Sequence, residues 1–132
     1  MEVKIDTKEK FTVVTPIIAE LTANIAAEIG VVCMHQLQKE VKNVILDLKS
    51  VSFVEEPAAK SLAELQQSFY ENNASFVICS LQLSVEEYFE KIELLELLNV
   101  TPTQSEAWDI VQMEEIEREL MDGDDMEFDA TK

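Results

Sequence analysis

Short apolar runs alternate with amphipathic segments along most of this chain. The runs predict strands at 3–5, 11–14, 44–48 and 75–80, and a short last strand at 98–100. Between them, apolar residues at helical spacing predict helices. Because strands alternate with helices, the order predicts an α/β fold with a mixed, mainly parallel sheet of four to five strands and about four helices. The first two strands form a hairpin that adds an antiparallel edge.

The helix boundaries follow from breakers and caps. Predicted helices cover 22–39 and 57–71, and two more begin at the capping-box spacings Ser84–Glu87 and Thr103–Glu106. Pro57 stands at the first position of its segment, where proline is favoured. Pro16 interrupts the apolar run before the first helix, so residues 17–19 are expected to continue an edge strand.

The pattern of the central stretch 43–65 predicts a strand, a loop and a helix, with Glu55 and Glu56 immediately before Pro57. A helix N-terminus has free N–H groups and a positive dipole end, which favour carboxylates and phosphates. This junction is therefore the candidate functional site. The alternative interpretation is that both glutamates are ordinary stabilising carboxylates at a helix start.

Composition restricts the possible partners. The net charge of −17 argues against binding nucleic acid or anionic membranes, which require clustered cations, and favours basic patches on other proteins. No apolar run is long enough to cross a bilayer, and the N-terminus lacks a signal-peptide core, so we expect a cytoplasmic protein without membrane insertion. Cys33 and Cys79 are expected to be reduced core residues, with a disulfide or a reactive thiol as the alternative. Nothing in the sequence indicates an oligomeric state.

The sequence lacks the signatures of catalysis. His35 is the only histidine, and there is no nucleophile elbow, P-loop or dinucleotide-binding glycine motif. Adjacent carboxylates such as Glu55 and Glu56 do not form the facing pair that a glycosidase needs. We therefore expect no enzyme activity, no cofactor and no metal site.

The last residues are strongly acidic. Beyond Leu120 no apolar period remains, so the sequence predicts a folded domain at 1–120 and a disordered acidic tail at 121–132.

The segment from Val44 to Leu65 resembles the STAS domain (sulphate transporter and anti-sigma factor antagonist), with Asp47 on the aspartate of the family motif. The segment 75–80 fits the family's next strand, and Thr101 to Ala107 fits its ending, in which a threonine precedes Glu-Ala. The resemblance covers about residues 3–120 and implies the SpoIIAA-like fold. It also implies a non-catalytic module that binds proteins.

The departure from the family is at the site itself. Where the motif reads Asp-Ser-Ser-Gly, this chain has Glu55, Glu56, Pro57 and Ala58. Glutamate cannot carry phosphate as a stable ester, so the phosphorylation switch that the family implies is not expected at these positions, and its role is not transferred to Ser61. The resemblance implies a partner-binding surface at the start of the Pro57 helix, formed by Glu55, Glu56, Pro57, Ala58 and Lys60.

Two partner classes follow from the resemblance. The first is an anti-sigma factor or a related kinase-like protein, bound by an anti-sigma factor antagonist. The alternative is a transporter ATPase, to which this chain would be a cytoplasmic accessory subunit of an ABC system.

Overall fold

A five-stranded mixed sheet forms the centre of the structure, a computed structural model that describes residues 2–130, with side chains to residue 120. Within residues 2–130 there are seven strands: β1 (Val3–Thr7), β2 (Thr12–Pro16), β3 (Glu20–Leu21), β4 (Val44–Asp47), β5 (Phe53–Val54), β6 (Phe76–Cys79) and β7 (Val100–Thr101). The main sheet has the order β1-β2-β4-β6-β7. Only the β1–β2 pair is antiparallel. The predicted α/β class with a mainly parallel sheet is confirmed.

Within the described residues three helices connect strands, α1 (Ala23–Gln36), α2 (Glu56–Glu71) and α3 (Leu83–Lys91), and a fourth, α4 (Gln104–Ala130), follows β7. Successive strand residues face opposite sides of a sheet, and this alternation separates the core into two layers. Val14, Leu46 and Ile78 lie in register and pack under α1, α2 and α3. Val13, Ile45 and Val77 point the other way and pack against Ala107 and Val111 of α4.

The region after Pro16 differs from the prediction. Residues 17–19 do not continue an edge strand; β2 ends at Pro16 and is an inner strand, between β1 and β4. Proline is tolerated because it occupies the last position of the strand, where it pairs with Val3. The chain then forms β3, which pairs in parallel with β5 as a separate small sheet that the sequence does not predict.

Two predicted helix starts have different outcomes. At α4, the Glu106 N–H donates to Thr103 Oγ1 at 3.2 Å, as a capping residue requires. At α3, Ser84 lies inside the helix and the N-cap is Gln82, so the predicted capping box is wrong. The Ser84 hydroxyl instead donates to the Ser52 carbonyl at 3.3 Å.

The last helix, α4, extends to Ala130 and so includes most of the segment predicted to be a disordered tail. Loss of an apolar period removes the face by which a helix packs, but it does not by itself end a helix. The domain boundary at residue 120 stays a prediction, and residues 131–132 lie outside the described part. No helix in the described range is both long and apolar enough to span a bilayer.

Candidate functional site

The loop that leads to α2 is fixed by the buried side chain of Asp47, at the end of β4. Its Oδ1 accepts a hydrogen bond from the Lys49 N–H at 3.0 Å, which closes a tight turn after the strand. Its Oδ2 accepts from Gln104 Nε2 at 2.8 Å, at the start of α4. A single carboxylate therefore holds the site loop to the helix on the other face of the sheet.

The small parallel sheet ties the two helix starts together. The Ser52 N–H donates to the Ala19 carbonyl at 2.8 Å, and the Glu55 N–H donates to the Leu21 carbonyl at 3.0 Å. These bonds continue the β3–β5 pairing up to the first residues of α1 and α2. The chain segments that enter these helices are thus held side by side.

The Glu55 side chain contacts a different helix from the one that it precedes in the sequence. It is the N-cap of α2 by backbone position, but its side chain makes no capping hydrogen bond to that helix. Its Oε1 accepts from the N–H of Ala23, the first residue of α1, at 2.9 Å. Thr22 Oγ1 accepts from the Ile25 N–H at 3.3 Å at the same helix end. Glu55 therefore stabilises α1, and its carboxylate is only partly available to a partner.

The other predicted site residues divide between surface and core. Glu56 is the first residue of α2; it, Pro57 and Lys60 are exposed. Lys60 Nζ lies 3.1 Å from Glu56 Oε2, an ion pair across one helical turn. Ala58 is fully buried and belongs to the core, so its side chain offers no surface.

Two exposed apolar side chains beside this helix start were missed from the sequence. Phe53 is 53% exposed and Leu83, the first residue of α3, is 69% exposed. The hydrogen bond from Ser84 to Ser52 brings α3 against the loop that carries Phe53, and Gln82 Nε2 also donates to the Lys49 carbonyl at 2.9 Å. Strand alternation is the signal for Phe53: Val54 faces the core, so its neighbour faces outward.

Both cysteines are free and buried: Cys33 lies on the inner side of α1, and Cys79 lies on the opposite face of the sheet. The alternative of a disulfide is therefore wrong. Burial raises the pKa of the Cys33 thiol to about 12 and that of Cys79 to about 11. Neither thiol is ionised at neutral pH, so neither is an activated nucleophile. Among side chains as far as residue 120, no group of three His, Cys, Asp or Glu residues could hold a metal ion.

The STAS domain profile matches residues 2–107. The chain belongs to the STAS domain family. Comparison with curated protein sequences gives no match.

Solved STAS structures share the fold at low sequence identity. A Thermotoga maritima protein assigned as an anti-sigma factor antagonist superposes with a TM-score of 0.73 at 19% identity, over 83% of this chain and 94% of that one. An anti-sigma factor antagonist domain protein from Planctomyces limnophilus gives 0.70 at 18%, over 83% and 97%. A serine-to-glutamate variant of RsbS from Moorella thermoacetica gives 0.69 at 15%, over 85% and 96%. The predicted resemblance to the STAS family and the predicted SpoIIAA-like architecture are confirmed.

Ser61 is the first serine of this STAS domain after the start of α2. It lies one turn inside the helix and is half-buried. Its hydroxyl donates to the Pro57 carbonyl at 3.0 Å, the usual bond of a serine inside a helix to the residue four positions earlier. This geometry directs the hydroxyl along the helix.

Proposed function

We propose that this STAS domain is a non-catalytic protein-interaction module that binds its partner through the exposed start of α2. The observation that supports the proposal is that the two adjacent carboxylates make different contacts. Glu55 is held by Ala23 of α1, whereas Glu56 is exposed at the first position of α2. A partner that binds Glu55 must break its hydrogen bond to Ala23, whereas a partner that binds Glu56 need only replace the exposed ion pair with Lys60.

The surface around Glu56 combines an apolar centre with charges. Phe53 and Leu83 expose large apolar side chains, and Pro57 adds a rigid apolar ring. Exposed aromatic side chains are enriched among the residues that dominate binding energy at protein interfaces. We call Phe53, Glu56, Pro57, Lys60 and Leu83 the α2-start surface. It suits a partner with an apolar pocket and a basic residue opposite Glu56, and the net charge of −17 favours such a partner.

Glu56 supplies a permanent negative charge in the segment where the family motif carries serine. A phosphoserine carries about 1.5 to 2 negative charges at neutral pH and can be reversed by a phosphatase, whereas a glutamate carries one that cannot. A serine-to-glutamate variant of RsbS has a fold similar to that of this chain. We therefore propose that binding does not depend on phosphorylation at this position.

The proposed partner is an anti-sigma factor or a kinase-like regulatory protein, in keeping with the antagonists whose fold this chain shares. Affinity capture on the immobilised full chain, followed by mass spectrometry of the bound proteins, identifies the partner class. Recovery of an ABC-type ATPase instead would favour the alternative of a transporter accessory subunit.

The surface itself is tested with the captured partner and three variants. Glu56→Lys should weaken binding beyond what its stability loss of about 0.5–1.5 kcal/mol explains, because it reverses a charge at the contact and at the helix N-terminus. Phe53→Ser should weaken binding with little change in stability. Glu64→Lys, exposed on the same helix past its first turn, is the control for net charge. Equal binding by all three variants would place the interface elsewhere on the domain.

A further inference from the structure

The outer edge of β1 is open, and the hydrogen bonds between β1 and β2 show which residues of β1 face that edge. Among the described strands β1 has only β2 as a neighbour. The Lys8 N–H donates to the Phe11 carbonyl and the Ile17 N–H to the Glu2 carbonyl, each at 2.8 Å. With the observed antiparallel register, these bonds assign Lys4 and Asp6 to the ladder with β2. The N–H and carbonyl groups of Val3, Ile5 and Thr7 therefore point outward along the free edge.

An apolar groove of about 920 Å³ lies next to this edge. Ile5 is in register with Val14, so both side chains lie on the face of the sheet that α1 covers. Ile5 of β1 and Val31 and Met34 of α1 line the groove and are 46%, 72% and 38% exposed. The fold thus leaves apolar side chains from two elements uncovered beside a row of free backbone groups.

Gly30 lies in the same wall of the groove, one helical turn after Ala27. A Cβ at Gly30 would meet nothing within 4 Å, so packing inside this chain does not require the glycine. A glycine inside a helix is destabilising relative to alanine. Because glycine has no side chain, another element can approach the backbone of α1 closely at this position.

The charges of β1 complement themselves in an antiparallel arrangement. If two β1 strands pair with Ile5 opposite Ile5, Lys4 of one copy lies opposite Asp6 of the other, twice by symmetry. Directly opposite residues in an antiparallel pair are in contact, and opposite charges there are stabilising. Lys4 and Asp6 give β1 no net charge, in a chain whose total is −17.

We propose that two copies of this chain associate through antiparallel pairing of their β1 strands, with Ile5 of both copies at the two-fold axis. The pairing joins the two main sheets into one continuous sheet and uses the outward N–H and carbonyl groups of Val3, Ile5 and Thr7. Both α1 helices then lie on the same face, on either side of the axis, with Val31 and Met34 turned toward the partner subunit. This is a self-complementary interface of the kind that produces closed dimers.

A second copy fits this edge better than an extended segment of unrelated sequence, because the Lys4–Asp6 match is reciprocal and specific to this register. The overall negative charge opposes association, and one short strand with a helix flank makes a small interface. We therefore expect a dimer that dissociates on dilution.

Charge exchange across the interface tests the proposal in the full chain. Lys4→Asp places like charges opposite each other in a homodimer, and so does Asp6→Lys; each variant should sediment as a monomer at concentrations where the natural chain is dimeric. An equimolar mixture of the two variants should form a heterodimer, because both cross-strand pairs are then complementary. Lys91→Asp makes the same change in net charge as Lys4→Asp at an exposed position on α3 and should remain dimeric. Circular dichroism and thermal melting confirm that each variant is folded.

Sedimentation velocity of the natural chain over a wide concentration range decides the first step. A natural chain that remains monomeric throughout would overturn the proposal and leave the edge open to a strand from a different protein. Dimerisation that survives in both single variants, or a mixture that fails to restore it, would show that the copies do not meet through β1.

Discussion

Removal of the Glu55 carboxylate should destabilise the domain through α1, although Glu55 stands at the start of α2. Its Oε1 accepts the N–H of Ala23, which is one of the unpaired donors at the N-terminus of α1. Replacement of a capping side chain by alanine costs about 0.5–2 kcal/mol, and loss of a negative charge at a helix N-terminus contributes to that cost. We expect Glu55→Ala to lower the free energy of unfolding by about 1–2 kcal/mol.

The matched variant is Glu56→Ala, one residue further along the chain. Glu56 is exposed and pairs with Lys60, which is also exposed, so solvent screens the interaction. Such pairs contribute only about 0.3–0.5 kcal/mol, and we expect a total loss below about 1 kcal/mol. Urea denaturation followed by circular dichroism measures both values. For a chain of this size the Glu55→Ala loss corresponds to a fall in melting temperature of about 4–7 °C.

A double-mutant cycle with Ala23→Pro isolates the hydrogen bond. Proline is favoured at the first position of a helix, and the extended backbone of Thr22 (ψ 170°) accommodates a following proline. Since proline has no N–H, Glu55→Ala should cost less in the Ala23→Pro background, by about 1 kcal/mol. An unchanged cost in that background, or a larger loss for Glu56→Ala than for Glu55→Ala, would refute the assignment of Glu55 to α1.

Three further predictions concern other parts of the chain. Deletion of 121–132 removes a segment without an apolar period and should lower the melting temperature by less than about 5 °C, whereas a larger fall in a thermal melt would show that the segment packs on the domain. Incubation with a cognate kinase and ATP should give no phosphate between Val54 and Ala59; high occupancy at Ser61 by mass spectrometry would contradict the loss of the switch. The free energy of unfolding should decrease from about pH 9 toward about pH 11, because burial raises the pKa of Cys79 to about 11 and that of Cys33 to about 12, so the folded chain retains thiol protons that the unfolded chain releases. Urea midpoints across this range measure the decrease, which should be smaller for Cys33→Ala; identical slopes for both chains would contradict it.

The sequence predicts β4 and β6 because each is a short apolar run that the sheet buries completely, and it predicts the exposed edge strand β1 from alternating apolar and polar residues. It does not predict β3 and β5, because two-residue strands are too short to show a period. The cap at Thr103 is predicted correctly, while the one at Ser84 is not. Both serine and threonine hydroxyls can accept a hydrogen bond from a nearby N–H, as Thr103 does. The Ser84 hydroxyl instead donates to the carbonyl of Ser52 in another loop.

The position of Glu55 and Glu56 at a helix start is predicted from the sequence, but the different contacts of their side chains are not, and their part in a binding site stays a prediction. The sequence places Glu55 and Glu56 together at a helix start, and the structure confirms that location. It cannot show that the Glu55 carboxylate belongs to α1, because its partner Ala23 is 32 positions away in the chain. The exposure of Phe53 follows from strand alternation only once Val54 is known to face the core, and a two-residue strand is too short to show this in the sequence.

The pairing of β3 with β5 has a consequence for the rate and cost of recognition. Loops usually lose backbone freedom when they bind, and fixing the backbone of one residue costs about 1–2 kcal/mol. Here the backbone hydrogen bonds from Ser52 and Glu55 already hold the segment that carries Phe53 before any partner arrives. The domain should therefore bind as a preorganised rigid body, with almost the same backbone in the free and bound states and association limited mainly by orientation.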